Sequence, residues 1–402
     1  MIKKINKIIL SIFLFFVLVN AEETDLHLKS ERYILYNLND NQILFEKDAY
    51  SKTSVASLTK IMSAIVSIEN AKEYDETITR TNEMISGIAP DVSKIGLKKG
   101  QKVTYDDLLA GTLIASGADA VQSLSIYSNG SLKNTISLMN DKVSELGLKN
   151  TNFTNVVGLY NEYNYSSAYD MAQILMYALK NERFKKIFTS DTYELSYGKK
   201  LNSTISKYNK KTKHDISYIK GSKTGYIRKA GYCLASIATI NDIDYLLVTL
   251  NAYNDSTAHL EDSIKIYDYF SNNYKYFDLY KKGDNIYSLK TYNSTIDEYI
   301  IQAPHDKKVF LKNDFDKSKL KYKYNGKEIV SYLDNKGDKL GSLKVYYEDE
   351  ELDSFDIYLD TTLSFSLDKY FIKYKVVIMV LIALISIIVV SLTVRYRIKT
   401  RV

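Results

Sequence analysis

The chain has 402 residues, 45% of them hydrophobic and 25% charged, with a net charge of +6; this suits a folded protein of two or more domains, each able to bury a sizeable core. A single cysteine, Cys233, excludes an internal disulfide and a cysteine cluster for metal. The scattered His27, His214, His259 and His305 and the absence of phosphate-cradling glycine patterns leave metal, nucleotide or other cofactor chemistry without support, and lysines interleaved with acids argue against a nucleic-acid partner.

Residues 1–21 carry the parts of an export signal: Lys3, Lys4 and Lys7, an apolar run over residues 8–19 broken only by Ser11, and Val19-Asn20-Ala21 as a cleavage pattern. The run is short for a bilayer span, so cleavage after Ala21 is expected. Next, Tyr33-Ile34-Leu35-Tyr36, Asn39-Asp40-Asn41 and Ile43-Leu44-Phe45 predict a β-hairpin.

The hairpin leads into residues 55–68, where a single Lys60 sits among Leu58, Ile61, Met62, Ala64, Ile65, Val66 and Ile68. As a helix this stretch would be buried on nearly every side. A lone lysine there needs a partner or must give up its proton. Ser57, three residues earlier, shares its helix face. A hydroxyl beside an amine that burial makes less basic can become a nucleophile.

Lys98-Lys99-Gly100-Gln101 predicts a turn, and residues 105–126 a helix broken by a loop at Ala115-Ser116-Gly117. Residues 132–146 form an amphipathic pattern stopped by Gly147, and residues 167–179 another helix. Residues 192–220, polar and lysine-rich, read as a strand with a surface excursion. Strands follow at residues 224–226, 231–240 and 245–250, the last two turned by Asn241-Asp242, before a closing helix at residues 260–270. Helices flanking an antiparallel sheet drawn from both ends of the segment make an α+β domain.

Residues 285–362 change to short alternating strands with turn signals at Asn325-Gly326 and Asn335-Lys336-Gly337, a small all-β domain that reads as a spacer or docking module. Residues 376–394 carry no charge and are long enough to cross a bilayer. Arg395, Arg397, Lys399 and Arg401 follow, so the tail belongs in the cytoplasm and everything earlier outside. The expected division is a signal peptide at 1–21, a catalytic domain at 22–275, a β-rich domain at 276–365, a transmembrane helix at 376–394 and a basic tail at 395–402.

Ser-x-x-Lys spacing alone is weak, since it recurs at Ser196/Lys199, Ser217/Lys220, Ser318/Lys321 and Ser366/Lys369. What sets Ser57 apart is its company. Ser57-x-x-Lys60, Ser116-Gly117-Ala118 and then Lys223-Thr224-Gly225, in that order, match the motif set of penicillin-recognising serine enzymes. Ala56-Ser57-Leu58-Thr59-Lys60-Ile61-Met62, Asn150-Thr151-Asn152-Phe153-Thr154-Asn155 with Gly158-Leu159, Tyr165-Ser166-Ser167-Ala168-Tyr169-Asp170-Met171-Ala172, and Lys223-Thr224-Gly225-Tyr226 with Ala230-Gly231-Tyr232-Cys233-Leu234 extend the match. Over roughly residues 28–270 the chain resembles the serine-type D-alanyl-D-alanine carboxypeptidases, the low-molecular-mass penicillin-binding proteins.

The resemblance implies a β-lactamase/transpeptidase-like fold, an antiparallel sheet flanked by helices plus an all-α lobe, with the β-domain and C-terminal anchor also in keeping. It implies Ser57 as nucleophile, Lys60 as base, and Ser116 as proton relay to the departing D-alanine. Lys223 and Thr224 would hold the substrate carboxylate, Gly225 would let substrate backbone lie close, and the N–H groups of Ser57 and Tyr226 would form an oxyanion hole. The substrate would be a peptidoglycan stem peptide ending in D-Ala-D-Ala, with β-lactam antibiotics as covalent inhibitors.

Two positions depart from the family. Ala118 stands where the middle motif commonly has Asn, a loss that a neighbouring amide could make good, and His259 falls near an arginine that helps bind the carboxylate in many relatives; an ordinary surface histidine is the plainer expectation there. Cys233, in an apolar strand pattern, is expected to be buried rather than catalytic. Two other readings stay open on sequence: a β-lactamase of the same fold, and a non-catalytic relative that binds wall peptide, to which Ala118 alone points.

Overall fold

The computed structural model describes residues 26–74, 77–253 and 255–399, so the expected export signal lies outside the described residues. The chain divides into two compact units, residues 1–272 and 273–402.

In the first unit, the hairpin is β1 (Ser30–Asn37) and β2 (Gln42–Lys47). A single 3-10 turn, Ala56–Leu58, leads into α1 (Thr59–Asn70). Every α1 residue from Thr59 to Ile68 is buried, as its nearly charge-free circumference requires. A short pair, β3 (Ile78–Thr79) and β4 (Lys102–Val103), brackets a long loop. Next come α2 (Tyr105–Leu113), opened by a Thr104/Asp107 capping box, and α3 (Ala118–Asn129), with Ser116 in the break between them. Then follow α4 (Leu132–Glu145), α5 (Ala168–Ala178), capped by Ser167, and α6 (Glu182–Phe188).

The lysine-rich stretch holds β5 (Thr192–Glu194) paired with β6 (Lys200–Asn202), then α7 (Thr204–Thr212). The last helix was not expected. Its residues are mostly polar because it lies on the surface, burying only Thr204 and Ile205, so it has almost no apolar period to read. Strands β7 (Ile219–Ile227), β8 (Gly231–Ile240) and β9 (Ile243–Ala252) and helix α8 (Ala258–Asn273) complete the unit.

The five strands form one sheet in the order β2-β1-β9-β8-β7, all antiparallel, so the two ends of the segment meet at its centre. On β8, Cys233 and Ala235 join the core shared with α1 and α5, whereas the neighbouring Ser236 hydroxyl meets the Tyr267 hydroxyl of α8 at 2.9 Å. Successive strand residues face opposite ways, so helices cover both faces of the sheet.

The second unit is β-rich: β10 (Tyr274–Tyr280), β11 (Asn285–Tyr292), β12 (Glu298–Gln302), β13 (Lys307–Lys312), β14 (Leu320–Gly326), β15 (Ile329–Ser331), β16 (Lys339–Tyr347) and β17 (Glu350–Tyr358). It carries its own apolar clusters, one around Leu343 and Val330 and another around Leu279 and Val345. Asn325-Gly326 does end a strand but makes no hairpin. β14 pairs with β16, while β15 leaves to pair in parallel with β11. Helix α9 (Leu367–Lys399) follows, containing the charge-free run.

Candidate active site

Ser57 sits on the turn that feeds α1, and the Lys60 amine lies 2.8 Å from its Oγ. Lys60 is 1% exposed, and burial brings its amine down to about 7. Its other contact is a 2.8 Å hydrogen bond donated to the Val157 carbonyl. The buried helix therefore brings an amine made less basic by burial against a hydroxyl. The turn is strained: Ala56 has φ +46°, a left-handed value that costs an L-residue about 1 kcal/mol or more.

Opposite, Lys223 on β7 is fully buried and donates to the Ser116 Oγ at 2.7 Å and the Thr224 carbonyl at 2.8 Å. Its proton affinity is held well below the usual lysine value, chiefly by burial and then by Lys60 and Lys207. Lys223 thus feels the charge of Lys60 across the site. Ser116 also has a left-handed backbone, φ +60°, at the break between α2 and α3. The Thr224 hydroxyl pairs with that of Thr204, at the start of α7, at 2.7 Å. Among the described residues no group of three metal-ligating side chains comes together.

Gly225 has a reason beyond room for substrate. A Cβ there would lie 3.0 Å from the Ser57 nitrogen and 3.1 Å from the Ala56 Cβ. The missing side chain lets β7 come directly against the nucleophile turn. Tyr226, next along, is half exposed and stacks on Tyr232 with ring centres 4.2 Å apart.

Sequence reasoning gave no role to the loop at residues 155–159, which holds the other side of the site. The Asn155 Oδ1 accepts from the N–H groups of Val157 (3.2 Å), Gly158 (2.7 Å) and Leu159 (3.0 Å), and its amide donates to the Leu159 carbonyl. That knot presents the Val157 carbonyl to Lys60. Gly158, at φ +92°, has no space for a Cβ, which would fall 1.9 Å from the Ala56 carbonyl oxygen. Its signals in the sequence were Asn155-x-x-Gly158 and the place of these residues in the family match.

The two departures resolve differently. Ala118 borders a largely apolar recess of about 260 Å³ that Gln122, Asn155 and Val157 also line. The amides of Gln122 and Asn155 both donate to backbone carbonyls, of Ser86 at 2.7 Å and of Leu159 at 3.0 Å. His259 is not a surface residue: it is fully buried, with no hydrogen-bond partner at either ring nitrogen among the described residues. It lies between Tyr208 and Tyr232, and burial lowers its pKa to about 4, so it is neutral at physiological pH. Cys233 is fully buried, its thiol pushed up to about 12 by burial.

This sheet with its helical covering, and a Ser-x-x-Lys turn facing a Lys-Thr-Gly strand, define the transpeptidase and β-lactamase class of serine enzymes. The family described as D-alanyl-D-alanine carboxypeptidase matches residues 19–254, and that described as penicillin-binding protein 5, C-terminal domain, matches residues 274–364. The chain belongs to the D-alanyl-D-alanine carboxypeptidase family. It is 29% identical over 325 residues to the D-alanyl-D-alanine carboxypeptidase DacF of Bacillus subtilis, covering 79% of this chain and 82% of the relative. It is 29% identical over 296 residues to DacA of Haemophilus influenzae, covering 68% and 71% respectively. A crystal structure of penicillin binding protein 5 from Haemophilus influenzae shares the fold, with a TM-score of 0.62 at 24% identity over 84% of this chain and 98% of that one.

Proposed function

We propose that the protein removes the terminal D-alanine from peptidoglycan stem peptides ending in D-Ala-D-Ala, through an acyl-enzyme on Ser57. Family membership makes it a D-alanyl-D-alanine carboxypeptidase. The observation that carries the assignment to Ser57 is its Oγ lying 2.8 Å from the buried amine of Lys60.

The neutral Lys60 amine takes the hydroxyl proton as Ser57 Oγ bonds to the carbonyl carbon of the penultimate residue. The N–H groups of Ser57 and Tyr226 take up the negative charge that develops on the carbonyl oxygen. As the C–N bond breaks, a proton passes through Ser116 to the leaving amine and D-alanine departs. Lys223 and Thr224 grip its carboxylate, whose charge favours the protonated form of Lys223. Water then attacks the ester, returning the proton to Ser57 and releasing the shortened peptide. A β-lactam offers the same amide and acid and acylates Ser57 by the same route.

The most apolar stretch of α9, within residues 367–397, has a mean hydropathy of 3.1, and none of that stretch is buried in the protein. It supports a single-pass membrane anchor, with the catalytic unit outside the cell and the basic tail inside. Ser57→Ala should abolish both D-alanine release and covalent labelling by a fluorescent penicillin. Labelling retained in that variant would remove Ser57 from the mechanism.

A further inference from the structure

The second unit seats its β-domain on the first turns of α9. Phe365 pairs with Ser294, the Thr295 N–H donates to the Ser364 carbonyl at 2.9 Å, and the Ser366 N–H donates to the Asn293 carbonyl at 2.9 Å. On the helix itself, Lys369 pairs with Asp297 at 2.7 Å and the Lys373 ammonium lies 4.1 Å from the centre of the Tyr292 ring. The hydroxyls of Tyr292 and Tyr374 hydrogen-bond. The turn between β11 and β12 therefore touches α9 as far along as Tyr374. The charge-free run begins two residues later, about 3 Å further along the axis.

A domain fastened that close to the lipid-facing run cannot stand clear of the membrane that takes up the run. The end it presents has the composition of an interfacial surface. Leu333 is 71% exposed, beside Tyr332, whose ring packs on Phe365. Ile296 is 41% exposed in the β11–β12 turn, and Phe371 is 52% exposed on α9. One exposed leucine would mean nothing. Here apolar tips, tyrosines and the cations of Lys369 and Lys373 share one end of the domain, as they do where proteins meet headgroups.

We propose that this end of the β-domain is a bilayer-contact surface, with the turns at residues 292–297 and 331–338 resting in the headgroup layer that α9 enters. The occupant is the phospholipid surface itself, because the patch continues directly into the anchoring helix. The inference rests on α9 spanning the bilayer, and the experiment separates the two.

The chain contains no tryptophan, so a single introduced one is the only indole reporter. The full chain would be prepared as Leu333→Trp, Ile385→Trp and Asp349→Trp and placed in phosphatidylethanolamine–phosphatidylglycerol vesicles. Nitroxide lipids carrying the quencher near the headgroup or near the acyl-chain end would then be added. Position 385 lies mid-run. Position 349 is the β16–β17 hairpin tip, at the far end of two nine-residue strands, on the order of 30 Å from the end that joins α9.

The expected result is strong quenching of Leu333→Trp by the shallow nitroxide, of Ile385→Trp by the deep one, and of Asp349→Trp by neither. If Ile385→Trp is quenched and Leu333→Trp is not, the contact surface is overturned and the anchor stands. If neither is quenched, the anchor reading fails and takes the proposal with it. Equal shallow quenching of Asp349→Trp and Leu333→Trp also overturns it, because the domain would then touch lipid without using this end.

Discussion

Lys60 and Lys223 are two buried amines in one site, and in the proposed mechanism only one of them needs its proton. With Lys60 as the proposed base, kcat/KM should climb with pH through an inflection near the value of about 7 to which burial brings its amine. Below that inflection the amine is charged and has no lone pair to accept the Ser57 proton. A rate-against-pH series on a soluble D-Ala-D-Ala peptide measures this, and a profile flat from pH 5 to 9 would contradict it. Asn155 gives a second prediction. Asn155→Ala removes four hydrogen bonds, each worth about 1 kcal/mol net, from the loop that supports Lys60. Activity should fall by roughly tenfold or more, with about 1–3 kcal/mol lost in a denaturant titration. Ser57, Lys60 and Lys223 stand out in the sequence because charges and hydroxyls interrupt apolar patterns there. Asn155 does not, since an asparagine in a polar loop has no period to break. His259 misled for the opposite reason: a lone histidine in a charged neighbourhood looks exposed until packing encloses it.

At the level of elements, the fit of three backbone turns decides whether the site exists. Gly158 carries the sharpest test, because its conformation excludes a side chain and the Ala56 carbonyl occupies the space one would take. Gly158→Ala should cost well over 2 kcal/mol and displace the Ala56–Ser57 turn. Lost penicillin labelling together with a lowered melting temperature would show it, whereas a stable, fully labelled variant would contradict it. The long buried helices and the central hairpin could be read ahead of the structure from their apolar periods. Helices α6 and α7 could not: the first is short, and the second lies on the surface with little apolar face. The β-domain misled in its connections. Asn325-Gly326 has hairpin chemistry, but β15 finds its partner across the domain in β11, and no local pattern carries that information.

The whole molecule is two units with separate cores, the second ending in a helix whose most apolar stretch is not buried. Ending the chain after Ser366 should therefore leave kcat/KM on a short soluble peptide unchanged while moving the protein from the membrane to the soluble fraction. Loss of activity on truncation would mean that α9 contributes to catalysis and not only to attachment. The order and character of the two units were legible in the alternation of their strands and the spacing of the three motifs.

The sealed sulfhydryl of Cys233 has a practical outcome at this scale. Because the chain has no other cysteine and this one is enclosed in the catalytic sheet, alkylating reagents find no target until that sheet opens. The rate of alkylation in rising denaturant is a built-in gauge of how the first unit comes apart, independent of the second. The native chain is likewise a clean background for attaching a dye or spin probe through one engineered surface thiol.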